Sequence, residues 1–476
     1  MEEELLTKFL KLMSKNISDS DLELIQLGRS LGLDLVSFAE LRASQEDEFA
    51  DLVRERALSK MEKEKENYLT NRNSFYAGSI DFMVSDEPNG KKFFLLETNG
   101  GSHRGLSIIT RKQQLILYNG YYEAIIQART LMDKQEKKIL VLIGVPINDA
   151  LIHEKVIMVE YFRRKLKEDG YSVKIFNKVN YEKDFKADIV FLIADYKQLS
   201  RSLSFSANWV KYKGEEVSVL IGDGIARRFN NKLFINLIEE DFTKLNTIIV
   251  NPIFRITDDK SLTYLVTYFA RSTLEKHNLR YLLFTKAFNE EDLINKLKYV
   301  IRKYKKPFII KPSGGSGGAG VIPVSKEENI KEMVKESKKE FFTKFMKNRN
   351  PYPYTIQEMA NFSLIQWKGG KHTFDIRIYL AQNKGKIIPI GGLARIAREE
   401  YRGSLNKQEF VVNLSGYNGQ IEVNRGCGIS ERDSKLLNLT VDDYVNMFCI
   451  GCVLFKNIAD HYYKIINFSD WKNLLN

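Results

Sequence analysis

The spacing of hydrophobic residues changes several times along the chain, and the first stretch follows a helical period. Apolar side chains recur three and four residues apart near the start, at Leu5, Leu6, Phe9, Leu10 and Met13. Such spacing places them on one face of a helix. The stretch 46–68 is instead dense in alternating acids and bases, which indicates an exposed charged helix. We therefore predict a helical N-terminal region over residues 1–75.

The pattern over residues 80–97 is that of a β-hairpin. The short apolar runs IDFMV and KKFFLLE flank the turn sequence DEPNG, and such runs on either side of a Gly-containing turn predict two paired strands. Helical periodicity returns over residues 106–133. We expect the hairpin and this helix to form one unit over residues 76–133.

From residue 139 onward, strands and helices alternate. The run ILVLIGV is followed by an amphipathic helix over 153–169 and by the runs YSVKIF, DIVFLIA and VSVLIG. Such alternation predicts a parallel α/β unit, here over residues 134–260. The remaining part, 261–476, combines three predicted helices with several strands. The predicted fold class is therefore α/β, with α+β character in the last part.

Composition narrows the kinds of protein that fit this pattern. The chain has 476 residues, 43% hydrophobic and 28% charged, which fits a globular protein of two or three units rather than a disordered one. No apolar run approaches the roughly 18 residues that span a bilayer. The start MEEELLTKFLKLMSK is acidic where a secretory signal is basic, and three cysteines cannot form a disulfide framework. We therefore expect a cytoplasmic protein without a membrane partner.

The formal net charge of the chain is +12. Such an excess favours anionic partners, namely nucleotides, phosphates, carboxylates or nucleic acid, and it also fits a basic surface that is simply solvated. Nucleic acid is the least favoured of these partners, because the sequence holds no aromatic RNA-binding strand, zinc finger or concentrated basic run.

The most specific motif is the glycine-rich segment PFIIKPSGGSGGAGVIPV, which lies between two strand-like runs. The first run presents Lys311, and the turn that follows holds Gly314, Gly315, Ser316, Gly317 and Gly318. Glycines let backbone N–H groups approach phosphate oxygens closely, and a lysine adds a point charge. The segment is neither a P-loop, which needs GKS or GKT, nor a dinucleotide fingerprint, which needs a helix directly after the loop. A flexible hairpin loop is the structural alternative.

A second motif, FDIRIYL, places Asp375 and Arg377 on the same face of a predicted strand, because side chains alternate with a period of two. Arg395 lies in another strand-like run, GGLARIAR. Two arginines that point into one cleft can bind a polyphosphate or a carboxylate in a bidentate manner. A surface Asp–Arg pair of little consequence is the alternative.

The hairpin offers a third set of candidates. Glu97 and Asn99 share a face of its second strand, and Asp81 lies on the first. Two carboxylates and an amide oxygen are hard ligands that suit Mg²⁺ bound to ATP phosphates rather than zinc. Glu422 and Asn424 form a second Glu-x-Asn and are a competing metal pair.

In combination, these motifs resemble the ATP-grasp superfamily, which includes D-alanine–D-alanine ligase, glutathione synthetase and tubulin–tyrosine ligase. Lys311 with its glycine loop resembles the family's phosphate-covering lysine and loop, and Gln357, Glu358 and Met359 resemble the hinge that contacts adenine. The runs FDIRIYL, GGLARIA and VVNLSGYNG follow one another as in the second half of that fold. The resemblance covers about residues 76–465.

The order of the motifs departs from that of the family. ATP-grasp proteins end with a helix and a hairpin that carries Asp and then Glu-x-Asn, whereas here the hairpin comes first and the chain stops soon after the helix at 440–460. We therefore interpret the chain as a circularly permuted ATP-grasp protein. Residues 134–260 then resemble the pre-ATP-grasp domain, and residues 261–476 resemble the ATP-grasp core. For the family's second ATP-contacting lysine, Lys286 is the nearest candidate.

The resemblance implies an ATP-dependent carboxylate–amine ligase that acts through an acylphosphate and releases ADP and phosphate. Its cofactors would be ATP and Mg²⁺, with Mn²⁺ as an alternative. Its partners would be small-molecule or peptide carboxylates and amines. A phosphotransferase on the same fold and a non-catalytic ATP-binding sensor or scaffold are the alternative functions. The identity of both substrates, the oligomeric state and the role of residues 1–75 stay open.

The resemblance also assigns roles to individual residues. Asp81, Glu97 and Asn99 would hold Mg²⁺, while Arg377 and Arg395 would neutralise charge during phosphoryl transfer. Arg104, which follows the hairpin, would orient the incoming carboxylate. Its neighbour His103 is a candidate acid or base, with an ordinary hydrogen-bonding role as the alternative.

The remaining histidines and the cysteines indicate no metal site by their spacing. His153, His277, His372 and His461 are scattered along the chain. Cys449 and Cys452 form a single CxxC on an apolar helix face. With no second cysteine pair, this pattern favours buried thiols over zinc or redox chemistry.

Overall fold

The computed structural model describes residues 48–100, 109–132, 138–145, 152–177, 181, 186–314, 318–345, 349–403, 407–410, 412, 414 and 423–475. Within these residues the fold is mixed α/β, with one parallel sheet and three antiparallel sheets. The predicted α/β class is confirmed. The predicted helix around residues 5–13 lies outside the described residues.

The helices are numbered here in chain order. Those before residue 280 are α1 (Glu48–Glu64), α2 (Arg111–Met132), α3 (Ile152–Glu168), α4 (Tyr196–Arg201), α5 (Asp223–Arg228), α6 (Lys232–Asp241), α7 (Phe254–Asp258), α8 (Lys260–Phe269) and α9 (Arg271–Glu275). Those that follow are α10 (Glu290–Tyr304), α11 (Ile330–Phe345), α12 (Lys407–Phe410), α13 (Glu431–Leu436), α14 (Val441–Asp460) and α15 (Tyr462–Ile466).

The strands are numbered in the same way. Those before residue 250 are β1 (Ala77–Glu87), β2 (Gly90–Asn99), β3 (Ile139–Val145), β4 (Val173–Asn177), β5 (Ile189–Asp195), β6 (Leu203–Ser206), β7 (Trp209–Tyr212), β8 (Glu215–Glu216), β9 (Val219–Ile221) and β10 (Ile248–Ile249). Those that follow are β11 (Phe284–Ala287), β12 (Phe308–Pro312), β13 (Ile322–Val324), β14 (Tyr354–Glu358), β15 (Leu364–Trp367), β16 (Gly370–Asn383), β17 (Lys386–Ile396) and β18 (Gly426–Gly428).

The largest sheet, called the central sheet below, is antiparallel and has the order β18-β17-β16-β1-β2, with β15 paired to the start of β16. The predicted hairpin is present as β1 and β2. It joins the sheet through β1, which pairs with β16, the strand that carries the FDIRIYL motif. The first strand of the described chain thus lies beside a strand that comes about 300 residues later.

Side-chain alternation gives the central sheet two different faces. One is apolar, and the other, called the polar face below, is charged at the candidate site but buries Tyr379 and Ala381 in a core shared with α2. Ile80, Phe82 and Ile378 point to the apolar side and are fully buried beneath α14. The helix lies very close to the sheet, because a Cβ added at Gly451 would be 2.5 Å from the side chain of Leu380. The polar face carries the charged residues of the candidate site.

Helix α1 differs from its prediction. Its Ala50, Val53, Ala57 and Met61 are buried, and they belong to the same hydrophobic core as the residues of α14, on which the helix packs. The prediction of an exposed charged helix is wrong for this face, because small apolar residues three and four apart form a packing stripe among the charges.

The parallel sheet has the order β10-β9-β3-β5-β4. Strands β3 and β5 are buried along their whole length, as expected for uninterrupted apolar runs in a parallel sheet. Helices α2 and α3 share a core with these strands. The small antiparallel sheet β6-β7-β8 follows β5 and was not predicted from the sequence.

The remaining sheet, called the four-stranded sheet below, has the order β11-β14-β12-β13 and carries the glycine-rich segment between β12 and β13. Helix α8 connects it with the central sheet. The hydroxyl of Ser261 on α8 lies 2.6 Å from that of Thr355 on β14. The hydroxyl of Thr263, also on α8, lies 2.9 Å from that of Thr98 on β2. The start of α8 is therefore held between the two sheets.

Candidate active site

The polar face of the central sheet carries a row of charged side chains. Asp81 on β1 lies opposite Arg377 on β16 and opposite Glu97 on β2. Two residues further along β16, Asp375 lies opposite Arg395 on β17. Because residues opposite each other in a sheet share a face, the register brings all five to one side.

Four of these residues form a closed group, which we call the charge quartet: Asp81, Asp375, Arg377 and Arg395. Arg377 donates from Nε and Nη2 to the two oxygens of Asp81 at 2.6 and 2.7 Å. Arg395 donates from Nη2 to Oδ2 of Asp81 at 2.7 Å and from Nε to Oδ1 of Asp375 at 2.8 Å. A further short contact joins Arg395 to the other oxygen of Asp375. No member is more than 9% exposed.

Burial and the arginines act in opposite directions on the two acids of the quartet. Burial alone would raise the pKa of Asp81, but Arg377 and Arg395 outweigh it and hold this pKa well below its usual range. For Asp375, burial prevails over the opposing effect of Arg395 and raises the pKa to about 6. The quartet is balanced in charge, so loss of either arginine would leave a buried carboxylate uncompensated.

Glu97 lies at the open end of the row. Its side chain is 34% exposed, and its Oε2 lies 3.3 Å from Nζ of Lys260, the first residue of α8. Its Oε1 lies 3.9 Å from Nη2 of Arg377. Both separations exceed those in the quartet, so these ion pairs are looser and a ligand can replace them.

Lys311 reaches from the four-stranded sheet to the hairpin. Its Nζ donates to the hydroxyl of Tyr264 at 2.7 Å and to the carbonyl of Leu96 at 3.4 Å. Burial lowers the pKa of Lys311 to about 7; Lys260 adds to this effect and Glu97 opposes it. A buried lysine with neutral hydrogen-bond acceptors is poorly stabilised as a cation and gains from an anionic ligand. We call Glu97, Lys260 and Lys311 the open trio.

Lys286 lies at the same level of the four-stranded sheet as Lys311. Both lie opposite Thr355, Lys286 on β11 and Lys311 on β12, with β14 between them. The three side chains therefore share one face of the sheet. Nζ of Lys286 lies 2.6 Å from Oδ2 of Asp259, the residue that caps the start of α8. Two lysines thus border the same end of α8.

The glycine-rich turn begins directly after β12. Gly314 and Gly318 have φ values of +62° and +72°, a region that side chains with a Cβ rarely adopt. Arg349 donates to the carbonyl of Gly314 at 3.0 Å and so fixes the start of the turn. Gly315, Ser316 and Gly317 lie outside the described residues.

The predicted adenine hinge lies at the end of β14. Gln357 is buried, and its Nε2 lies 3.5 Å from the carbonyl of Leu95 on β2. Glu358 accepts from Lys306 at 2.6 Å and from the backbone N–H of Leu283 at 3.3 Å. Gln357 therefore faces the hairpin, whereas Glu358 is held at the edge of the sheet.

The structure brings most of the predicted site residues to the region between the central and four-stranded sheets. Arg104 and His103 lie outside the described residues, as does Glu422 of the competing metal pair. Sequence reasoning missed Lys260 and Tyr264 on α8. No local motif marks these two, because their proximity to Glu97 and Lys311 depends on how α8 packs between two sheets.

The residues of the predicted metal site differ in how well they could accept a cation. Glu97 is partly exposed, and the buried Nδ2 of Asn99 has no hydrogen-bond partner among the described residues. Ser79, opposite Asn99 in the sheet, likewise has an unpartnered hydroxyl within that part of the chain. The carboxylate of Glu97, the amide oxygen of Asn99 and the hydroxyl oxygen of Ser79 are ligands that suit a hard cation, whereas Nδ2 of Asn99 is a hydrogen-bond donor and would not bind one. Both oxygens of Asp81 are occupied by arginines, so its predicted role as a ligand requires the quartet to open.

Comparisons with known proteins give remote likenesses only. No family model matches the chain, and no curated protein matches it. Among solved structures, it is similar to a proposed gamma-glutamylcysteine synthetase from Methylobacillus flagellatus KT at 12% identity, over 87% of this chain and 96% of that one, with a TM-score of 0.44.

Two further likenesses are weaker. A glutathione synthetase-like effector from Globodera pallida has 12% identity, coverage of 76% of this chain and 83% of that one, and a TM-score of 0.36. A D-alanyl-alanine synthetase A from Vibrio cholerae has 9% identity, coverage of 67% and 98%, and a TM-score of 0.28. With TM-scores below 0.5, none of these likenesses by itself supports an assignment of fold family or function.

None of the helices within the described residues has the length and apolar character needed to cross a membrane.

Proposed function

We propose that this chain is an ATP-dependent carboxylate–amine ligase with a circularly permuted ATP-grasp domain. The observation that carries the proposal is the approach of Lys311 to the hairpin. Its ammonium group donates to the carbonyl of Leu96, the residue before Glu97. A phosphate-binding lysine and a metal-binding acid must come this close if both act on one nucleotide.

The phosphates of ATP would lie between the two sheets. Lys311 and Lys286 flank β14 at one level, and the turn that starts at Gly314 can offer backbone N–H groups to the same oxygens. Gln357 and Glu358 would line the adenine pocket at the end of β14. Within the described part of the chain, the ammonium group of Lys311 has only neutral hydrogen-bond acceptors, the hydroxyl of Tyr264 and the carbonyl of Leu96. Bound phosphates would stabilise its charged form and so offset the effect of burial.

Glu97 and Asn99 would hold Mg²⁺, with Mn²⁺ as a substitute. When bound, the ion would neutralise charge on the ATP phosphates and hold them for transfer. Lys260 pairs with Glu97 in the structure, and we propose that it turns to the phosphates or to the substrate carboxylate when the ion binds. Asp81 would bind Mg²⁺ only if one of its oxygens lost its hydrogen bond to Arg377 or Arg395.

The arginines would act from fixed positions. Asp81 and Asp375 orient Arg377 and Arg395 through bidentate contacts, and Nη2 of Arg377 already lies on the side of Glu97. Such preorganised positive charge stabilises the transferring phosphoryl group without reorganisation. Arg104 remains the candidate for orienting the substrate carboxylate.

The reaction would proceed in two steps. A carboxylate oxygen of the first substrate attacks the γ-phosphorus, the bond to ADP breaks, and an acylphosphate forms. The amine of the second substrate then attacks the acyl carbon, loses a proton and expels phosphate, which keeps one oxygen of the original carboxylate. The glycine-rich turn would close over this intermediate and exclude water.

Circular permutation accounts for the position of the hairpin. In the family order the hairpin comes last, and here β1 and β2 come before every other described strand. Strand β1 nevertheless pairs with β16, the strand that carries Asp375 and Arg377, and β2 pairs with β1. Permutation changes the chain order without changing such neighbours, and it is tolerated when chain ends lie close together.

The proposal is tested by release of ADP and phosphate from Mg·ATP in the presence of pooled amino acids and small peptides. The expected result is phosphate release that depends on the pool, followed by identification of the substrates by fractionation. Transfer of ¹⁸O from a labelled carboxylate to phosphate would establish the acylphosphate. A stable phosphate ester in place of free phosphate would indicate a phosphotransferase. ATP binding without any turnover would indicate a sensor or scaffold.

A further inference from the structure

A second group of polar side chains lies where α1, α14 and the turn after α9 meet. It consists of Glu64 at the end of α1, His277 in the turn and Cys449 on α14. One oxygen, one nitrogen and one sulfur atom from these residues all lie within 4.8 Å of one another. The three come from segments that are far apart in the sequence, and the ligase proposal uses none of them.

The histidine and the cysteine are almost completely enclosed. His277 is 2% exposed and Cys449 is 1% exposed, whereas Glu64 is open to solvent on one side. Nε2 of His277 lies 3.3 Å from Oε2 of Glu64. The Nδ1 atom of His277 is buried and has no hydrogen-bond partner among the described residues. Nε2, which faces Glu64, is the nitrogen in position to bind an ion.

The spacing of these atoms is close to that of a metal centre. In a tetrahedral zinc site with bonds of roughly 2.0–2.3 Å, neighbouring ligand atoms are roughly 3.3–3.7 Å apart. The His277–Glu64 distance already lies in this range, and a contraction of about 1 Å would bring the most distant pair of ligand atoms into it. Imidazole, thiolate and carboxylate together suit zinc rather than magnesium or calcium.

The charges around the cluster are compatible with a divalent ion. The neighbouring cations are Lys60, one helical turn before Glu64, and Lys276, the residue before His277. Nζ of Lys60 donates to Oδ1 of Asn446 at 3.0 Å. Burial lowers the pKa of His277, and Glu64 opposes this effect. Burial raises the pKa of Cys449 to about 12, so an ion would have to displace the thiol proton.

We propose that Glu64, His277 and Cys449 bind one zinc-class divalent ion, with water at the fourth position on the exposed side of Glu64. The ion would tie α1 and the turn after α9 to α14, which covers the apolar face of the central sheet. Its role would be structural, and binding would release one proton from Cys449.

The CxxC pattern could not reveal this site. The other cysteine of the pair, Cys452, is directed away from it, since its Sγ lies 3.2 Å from the carbonyl of Glu66. Cys449 therefore meets its partners through the packing of α1 and α14. Cys452 provides a matched control, because it is a buried thiol one turn away on the same helix.

The proposal is tested by titrating the full chain, first treated with a chelator and kept reduced, with Co²⁺. A thiolate-to-cobalt absorption band that saturates near one ion per chain is expected. Cys449→Ser should abolish the band. His277→Gln should lower the affinity for cobalt at least tenfold. Cys452→Ser should leave both the band and the affinity unchanged. Glu97→Gln should also keep the band, because an ion bound at the candidate active site would have no thiolate ligand and give no such band.

A second measurement covers the case in which Cys449→Ser does not fold. Zn²⁺ should raise the melting temperature of the wild type in proportion to log concentration, and it should have a much smaller effect on Glu64→Gln, a substitution at a partly exposed position. Absence of a cobalt band in the wild type, a band that survives in Cys449→Ser, or equal stabilisation of wild type and Glu64→Gln by Zn²⁺ would each overturn the proposal.

Discussion

The charge quartet and the open trio lie next to each other, yet they are built in opposite ways. In the quartet, every carboxylate oxygen accepts from an arginine, the contacts are no longer than 2.8 Å and no residue is more than 9% exposed. In the open trio, the one ion pair is 3.3 Å long, Glu97 is about one-third exposed, and Lys311 is held by a hydroxyl and a carbonyl.

This difference separates a structural use of charge from a binding use. Charges that already neutralise each other gain little from a ligand. Their effect on stability is large because removal of one partner leaves the other buried and unpaired. Lys311, whose pKa burial lowers to about 7, gains most when an anion binds. The same kind of substitution should therefore lower stability most in the quartet, where it also removes charge assigned to phosphoryl transfer, and should lower ligand binding or activity most in the open trio.

The largest effect is expected for Arg395→Met. The substitution leaves Asp375 without its guanidinium and Asp81 with one instead of two, so the free energy of unfolding should fall by about 3–5 kcal/mol in urea denaturation. Because Asp375 can take up a proton, the loss should be smaller at pH 5 than at pH 8. Arg302→Met, which breaks the exposed pair with Glu327, is the matched control and should change stability little. An equally mild effect of Arg395→Met would refute the distinction.

The next effect is expected for Glu97→Gln. Turnover should fall by about 10²- to 10³-fold, as when one preorganised electrostatic group is removed from an active site. The unfolding curve should stay nearly unchanged, because the ion pairs of Glu97 are long and partly exposed. Phosphate release by wild type, Glu97→Gln and Glu422→Gln measures this, with Glu422→Gln expected to retain activity. Loss of activity in Glu422→Gln alone would favour the competing metal pair.

A smaller effect is expected in the pH dependence of stability. The pKa of Lys311 is about 7 in the folded chain and about 10.4 when unfolded. Between these values the unfolded chain binds the extra proton, so the destabilisation is complete below pH 7 and is relieved as the pH rises toward 10. Lys311→Met should remove this slope of about 1.4 kcal/mol per pH unit. Denaturation of both proteins at pH 6, 7, 8 and 9 tests it, and parallel curves would contradict it.

The smallest effect is expected for Lys286→Met. Lys286 is already paired with Asp259 at 2.6 Å, so part of its charge is compensated before ATP binds. We expect ATP affinity to fall about tenfold, equivalent to about 1.4 kcal/mol, in a calorimetric titration. Lys326→Met, at an exposed position after β13, is the control. A loss equal to that of Lys311→Met would show that the two lysines contribute alike.

The features that could be predicted from the sequence are those that local sequence patterns determine. The hairpin of β1 and β2, the buried strands of the parallel sheet and the strand that carries Asp375 and Arg377 follow from period-two alternation, apolar runs and turn residues. The shared face of Asp375 and Arg377 also follows from alternation. The partner of Asp81 does not, since it depends on β1 pairing with a strand about 300 residues away.

The features that escaped prediction depend on packing between distant segments. Lys260 meets Glu97 because α8 lies between two sheets. The buried stripe of α1 and the meeting of Glu64, His277 and Cys449 depend on how α1 packs against α14. A regular spacing within one segment gives no information about contacts with distant segments. In α1, the many charged residues also made a narrow apolar stripe difficult to recognise.

The most direct test of the central claim is a calorimetric titration of the full chain with Mg·ATP, with wild type and Lys311→Met compared at pH 7. The wild type should bind one ATP per chain with a dissociation constant in the range of about 1 μM to 1 mM, and the variant should bind at least tenfold more weakly while remaining folded. Absence of binding by the wild type, or equal affinity in both proteins, would contradict an ATP site between the two sheets.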